Sequence, residues 1–330
     1  MKAFAYSSPA TPEDAVRHLA GPGTVEALSG GTDLISRMKD YVTSPDRVVY
    51  LKDVKALGKI AETAGGGLEI GAGARLADLV ADPAVRKRFP ALWQATVEVG
   101  TPQIRNMATV GGNLLQRPRC WYFRNGFGLL ATKDGKSLVR EGDNRYHAIF
   151  MTDGDALFVS PSSLAVPLVA LNAQATVLGA NGERTIPVEQ LYRVPRPGDE
   201  RELALAPGEL LTRVTIPQGV GRNAAYEVRQ KQAHDWPLAM AAVNLTMDGD
   251  SVSDARVVLY GVAPIPWRSE PAEKAIKGGP ITRERAEAAA ASAVEGARPL
   301  STNGYKVALV KTVVKRALLD AAGDRYWEGA

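Results

Sequence analysis

The chain has 330 residues, 45% of them apolar and 23% charged. These are globular proportions; they exclude disorder and fibrous repeats, and the length predicts about two domains with a core that needs no covalent staples. The net charge of +4, from 40 basic and 36 acidic side chains, is spread thinly, without the charged stripe and interleaved aromatics of a nucleic-acid binder, so no nucleic-acid partner is expected.

The amino terminus, MKAFAYSSPATPEDAV, has no apolar signal core and no small-residue cleavage site. No later run approaches the roughly 18 apolar residues of a membrane span. A cytoplasmic location is expected, with periplasmic export as the passenger of a partner as the alternative. Thr11-Pro12-Glu13-Asp14 predicts a helix start, with Thr11 at the N-cap, Pro12 at the first helical position and Asp14 closing the capping box. Residues 24–28 read as a strand, 33–41 as a helix and 48–51 as a second strand, an alternation that predicts parallel strands with helical crossovers.

From Gly65-Gly66-Gly67 onward the character changes. Strand 68–70 follows the glycine turn, and helices are predicted from 75 and over 91–99. Residues 117–150 are irregular and polar, an uncommon length of chain to leave without regular structure unless it has a function. Strand-like runs at 156–160, 175–178 and 211–216 predict antiparallel pairing. Pro217-Gln218-Gly219 marks a boundary near 220. Beyond it, strands are predicted at 224–229, 241–247 and 255–260, then an alanine-rich helix at 282–294 and a helix at 304–322 with Tyr305, Leu309, Val313 and Leu318 on one side.

Most catalytic signatures are absent: no GxSxG, no Walker A loop and no HExxH. Gly71-Ala72-Gly73 follows a strand but lacks the third glycine of a dinucleotide fingerprint. The single cysteine, Cys120, excludes a disulfide framework within the chain and any cluster held by several of its own thiolates. It has no evident base partner and reads as a buried or incidental thiol. Two glycine pairs are better candidates. The first is Leu28-Ser29-Gly30-Gly31-Thr32-Asp33-Leu34-Ile35, at a strand-to-helix junction. Paired glycines permit positive φ, let main-chain N–H groups turn inward on an anion, and leave Thr32 free to offer a hydroxyl. Asp33 would be repelled by a phosphate, so it should bond elsewhere. An ordinary turn that needs glycine is the competing reading. The second runs from Thr101-Pro102-Gln103-Ile104-Arg105 to Thr109-Val110-Gly111-Gly112-Asn113, a bare loop tip beside several donors. Two such loops suggest a diphosphate gripped from two sides.

These residues resemble the paired FAD loops in the FAD-binding subunits of the molybdenum hydroxylases, the medium chains of the xanthine dehydrogenase, carbon monoxide dehydrogenase and aldehyde oxidoreductase family. Further matching stretches are Ser160-Pro161-Ser162-Ser163-Leu164-Ala165, Tyr226-Glu227-Val228-Arg229-Gln230-Lys231, Asp235-Trp236-Pro237-Leu238 and Gly261-Val262-Ala263-Pro264-Ile265-Pro266-Trp267-Arg268. The resemblance implies an α/β FAD domain of the vanillyl-alcohol-oxidase (PCMH) type over 1–220, in subdomains of about 1–57 and 58–220 with an insertion at 117–150. A smaller C-terminal α+β domain of the CO dehydrogenase flavoprotein type would follow over 221–330. It implies FAD held by Leu28 to Ile35, by Thr101, Ile104, Arg105, Thr109, Gly111, Gly112 and Asn113, and by Ser163, Lys231 and Asp235, with no catalytic residue and no metal on this chain. It also implies partners: a large subunit with molybdopterin, a small subunit with 2Fe-2S clusters, and an external acceptor that is NAD, a quinone, oxygen or a carrier protein.

Two departures stand out. Ser163 replaces the aspartate usual at its position. The stretch RPRCWYFRNGF at 117–127, with GDNRYHAIF at 142–150, resembles an aldehyde-oxidoreductase insertion whose cysteines hold a 4Fe-4S cluster, yet only Cys120 is present. One thiolate cannot hold a four-iron cubane, so the insertion is expected to persist without it, packed by Trp121, Tyr122, Phe123 and Phe127. A stand-alone flavin oxidoreductase and a flavin-free scaffold are the rival readings.

Overall fold

The computed structural model describes residues 1–199 and 201–328. The chain opens with β1 (Ala5–Ser7), α1 (Pro12–Leu19), β2 (Val25–Leu28), α2 (Leu34–Lys39) and β3 (Arg47–Tyr50). The strands form a parallel sheet in the order β1-β3-β2. Thr11 caps α1 as expected: its Oγ1 accepts the Asp14 N–H at 3.1 Å and donates to the Asp14 carboxylate at 2.9 Å. Ala15, Val16 and Leu19 turn the helix onto the sheet.

A second sheet follows, antiparallel throughout, in the order β4-β5-β10-β8-β9. β4 (Ile60–Glu62) and β5 (Leu68–Gly71) form a hairpin around Gly66, whose φ is +81°. Five short helices come next: α3 (Leu76–Ala81), α4 (Pro83–Arg88), α5 (Pro90–Val97), α6 (Pro102–Met107) and α7 (Val110–Leu114). Proline opens α4, α5 and α6; its fixed φ suits a first turn, and its missing N–H ends any helix before it. Beyond the insertion, α10 (Ala165–Ala170) leads into β8 (Gln174–Gly179), β9 (Gly182–Pro187) and β10 (Leu210–Ile216).

The insertion itself contains α8 (Trp121–Arg124), a hairpin of β6 (Thr132–Lys133) and β7 (Lys136–Ser137), and α9 (Leu138–Glu141). Phe123 is buried, and Trp121 meets Tyr122 edge-on, but Phe127 is 38% exposed and takes no part in the packing. Polar anchors do much of the fastening. Lys306, 1% exposed, donates from Nζ to the carbonyls of Tyr146 (3.0 Å), His147 (3.0 Å) and Gly261 (2.6 Å). Burial pulls its proton affinity down to about 7, yet three acceptors use all three protons of the ammonium form. Residues 156–160, expected as a strand, form none. Their ladder-like bonds are Ala148 N–H to Leu157 O and Ser160 N–H to Ala263 O, so the run is apolar because loops bury it.

The last sheet, β11 (Arg222–Val228), β12 (Ala239–Asp248), β13 (Ser251–Tyr260) and β14 (Trp267–Arg268), is antiparallel in chain order. Alternation sorts its side chains. Ala224, Ala241, Val243 and Val257 pack on α11 (Glu270–Ile276), α12 (Arg283–Ser292) and α13 (Lys306–Ala321). Ala225, Met240, Ala242 and Tyr260 join the core of the preceding sheet and helices. Tyr305 was expected on the buried side of α13. It lies just before the helix, 40% exposed, with its hydroxyl donating to Arg145 O.

Candidate cofactor site

The two glycine pairs meet. A Cβ on Gly30 would collide with the Met107 carbonyl and lie 2.9 Å from Ala108 Cα, so the first loop rests directly on the main chain that precedes α7. Thr109 Oγ1 donates to Ser29 Oγ at 3.1 Å across the same junction. Gly31 has φ +74°, the left-handed region that favours glycine. Among the described residues, the N–H groups of Gly30, Gly31 and Thr32 have no protein acceptor. The second pair differs. Gly111 N–H donates to Ala72 O at 2.7 Å and Gly112 N–H to Thr109 Oγ1 at 3.2 Å. Those amides are committed within the fold, and Gly111 serves close approach: a Cβ there would sit 2.9 Å from the Ala72 Cβ.

Between the loops lies a cleft of about 530 Å³. Of the sequence-predicted residues, Leu28, Ser29, Gly30, Gly31, Thr32, Asp33, Leu34, Thr109, Gly111 and Gly112 line it. The others stand apart from its wall. Ile35 packs beneath Gly31. Thr101 caps α6 by accepting from Ile104 N–H; Ile104 lies against Gly100, and Arg105 donates to Val99 O at 3.0 Å. Asn113 is buried and accepts from Ser162 Oγ (2.9 Å) and Leu164 N–H (3.2 Å), and Ser163 is buried beside it. Lys231 and Asp235 line a second cavity of about 500 Å³. Gly71 and Gly73 bring the chain against Leu57 rather than against a ligand: a Cβ on either would meet the Leu57 backbone.

Asp33 finds its partners in the insertion. Its carboxylate accepts from Arg37 Nε (3.2 Å), the Arg117 N–H (3.1 Å) and Arg124 Nη2 (2.7 Å), and pairs with Arg119 at 3.1 Å. Burial alone would raise its pKa, but the charges of Arg119, Arg124 and Arg37 together hold it below the usual carboxylate range. Burial lowers Arg119 to about 10 against the pull of Asp33. The three insertion arginines were not singled out from the sequence. The signal was present: an aspartate that a phosphate would repel needs cations, and Arg117, Arg119 and Arg124 stand within eight residues.

Cys120 does have a neighbour that could act as a base, since His147 Nε2 lies 3.2 Å from its Sγ. Burial raises the thiol and lowers His147 to about 4, so the pair is neutral rather than thiolate–imidazolium, and the cysteine is not activated. Among the described residues no group of three His, Cys, Asp or Glu side chains is placed to hold a metal ion.

Glu227 on β11 is the other misfit. Its side chain is 12% exposed, its Oε1 accepts no hydrogen bond, and burial, reinforced by Glu98 and Asp235, overrides Arg229 and lifts its pKa from 4.5 to about 7. A carboxyl that holds its proton more tightly when folded stabilises the fold below pH 4.5 and loses that contribution as the pH rises through 7. Glu227→Gln is therefore expected to be more stable than the parent by about 2 kcal/mol at pH 8 and nearly equal to it at pH 5. Urea unfolding at the two pH values measures this, and a pH-independent difference would contradict it.

Residues 2–219 match the family described as the FAD binding domain in molybdopterin dehydrogenase, and residues 224–321 match the CO dehydrogenase flavoprotein C-terminal domain. The chain is 33% identical to the aldehyde oxidoreductase FAD-binding subunit PaoB of Escherichia coli, over 97% of this chain and 99% of that one. It is 28% identical to the carbon monoxide dehydrogenase medium chain of Hydrogenophaga pseudoflava, over 96% of each. The structure of carbon monoxide dehydrogenase from Hydrogenophaga pseudoflava superposes with a TM-score of 0.75 at 26% identity, covering 98% of both chains. Among the described residues no helix is long and apolar enough to cross a membrane. The chain thus belongs to the family of FAD-binding medium subunits of molybdenum hydroxylases, with an FAD-binding domain followed by a CO dehydrogenase flavoprotein-type domain.

Proposed function

We propose that this chain holds FAD by its diphosphate in the cleft between Ser29–Asp33 and Thr109–Gly112, and that it is the electron-transfer subunit of a molybdopterin-dependent hydroxylase. The observation that carries the reading is the run of unpartnered N–H groups at Gly30, Gly31 and Thr32, in a cradle whose two loops meet so closely that a Cβ on Gly30 would force them apart. Such a run suits phosphate oxygens, and the Thr32 hydroxyl adds a donor. Asp33, next in the chain, is neutralised by arginines and so does not repel the diphosphate. Thr101, Ile104, Arg105, Asn113 and Ser163 support the loops from behind, and Lys231 and Asp235 face the second cavity.

Bound flavin takes up single electrons and passes on a pair, which suits a post between one-electron clusters and a two-electron acceptor. The 2Fe-2S clusters and molybdopterin belong to partner chains, as the relatives' roles as medium chains suggest. The acceptor is NAD, a quinone, oxygen or a carrier protein. This chain's own contribution is binding and orientation.

The test is titration of the purified, flavin-free chain with FAD, alongside iron analysis. One FAD per chain and no iron are expected. A well-folded chain that takes up no FAD overturns the reading, and about four irons per chain would show that the insertion still carries a cluster. A flavin-loaded chain that reduces a small substrate without partners would favour the stand-alone oxidoreductase.

A further inference from the structure

Asp33 stands at the N-cap of α2, where an aspartate ordinarily accepts N–H groups of the first turn, yet its carboxylate makes no capping bond. It turns toward the insertion instead. Its Oδ2 accepts from Arg37 Nε (3.2 Å) and the Arg117 N–H (3.1 Å), while Oδ1 accepts from Arg124 Nη2 (2.7 Å) and pairs with Arg119 (3.1 Å). Arg117 ends the stretch Leu115-Gln116-Arg117, which leaves the second glycine loop along the wall of the same cleft. One hydrogen bond thus joins the two loops just past the cradle amides, across 84 positions of sequence. Arg124 secures that stretch from the insertion side, donating from Nε to Pro118 O at 2.7 Å and from Nη2 to Arg117 O at 2.9 Å.

Two arrangements are open to Asp33. With the insertion seated, Arg119 and Arg124 join Arg37 in offsetting its charge. With the insertion lifted, Arg37 of α2 remains, and its charge is shared with Glu26 at 3.3 Å. The carboxylate, which lines the cleft one residue past Thr32, is then poorly neutralised and repels a diphosphate. A bound diphosphate therefore favours the seated insertion. By linkage, the seated insertion favours the diphosphate by the same factor.

We propose that residues 117–124 form a clasp on the cofactor cleft. Arg119 and Arg124 are positioning residues that act on the diphosphate through Asp33, so cofactor uptake and seating of the insertion reinforce each other. The coupling rests on the cofactor reading above.

The full chain is titrated with FAD by calorimetry, and its amide exchange is mapped with and without FAD. FAD is expected to slow exchange across 117–124 in the parent and not in Asp33→Asn. Arg124→Met is expected to weaken FAD about tenfold in the parent background and less than about threefold in Asp33→Asn, where the acid through which it acts is gone. A direct contact between Arg124 and the cofactor, or a purely structural role, would give equal losses in the two backgrounds and overturns the proposal. Exchange across 117–124 that FAD leaves unchanged in the parent overturns it too, and that map needs no substitution, so it decides even where Arg124→Met fails to fold. A parent chain that takes up no FAD ends the cofactor reading and the clasp with it; one that takes up FAD without protecting 117–124 ends the clasp alone.

Discussion

Gly30→Val is expected to weaken FAD binding by about a hundredfold or more. The new Cβ would land on the Met107 carbonyl and within 2.9 Å of Ala108 Cα. Both are main-chain atoms, so no rotamer change relieves the clash, and the two loops must part. Parting moves the Gly30, Gly31 and Thr32 amides off the diphosphate. Losing two charge-assisted hydrogen bonds costs about 3 kcal/mol, which is the hundredfold. Gly58→Ala is the control: a Cβ there meets nothing within 4 Å, and full affinity should persist. Calorimetric titration with FAD measures both. Unchanged affinity in the valine variant, with the fold intact, would remove the physical basis of the proposed cofactor site.

The second large effect concerns Asp33→Ala. Without that carboxylate, Arg119 and Arg124, with side chains 25% and 15% exposed, keep their charges in a half-buried setting with no acid beside them. Removing one partner of a buried ion pair costs about 3–5 kcal/mol; the lower end applies here because solvent reaches part of Arg119. The loss should be local. Arg124 also ties the Arg117 and Pro118 carbonyls, so amide exchange should quicken across 117–124 before the rest of the chain. A urea midpoint and an exchange map indistinguishable from the parent would show that the node carries no stability.

Elements with strong end signals were legible from the residues alone. The α1 cap, the crossovers of the first sheet and the long final helix all announce themselves through capping chemistry and apolar period. β1 did not, because three largely exposed residues cannot display an alternation. β9 was missed for a similar reason: four of its six residues are exposed, so it has no apolar face to read. The run 156–160 misled in the opposite direction, since burial by loops mimics a core strand.

The site divides in the same way. Glycine pairs show in a sequence because glycine's freedom is local. The commitment of the Gly111 and Gly112 amides to Ala72 and Thr109 does not, because it depends on where the chain returns. Nor does the pairing of Asp33 with arginines more than eighty positions away. Lys231 and Asp235 came only through the family resemblance; nothing in their own spacing distinguishes them from a solvated loop.

The enclosure of Lys306 has a practical corollary. An amine locked between three carbonyls, with no water-facing surface, reacts with acylating reagents only when the insertion lifts from the C-terminal domain. Lysine footprinting by mass spectrometry under native conditions would time that excursion at one position, with exposed Lys231 as the freely reacting internal reference.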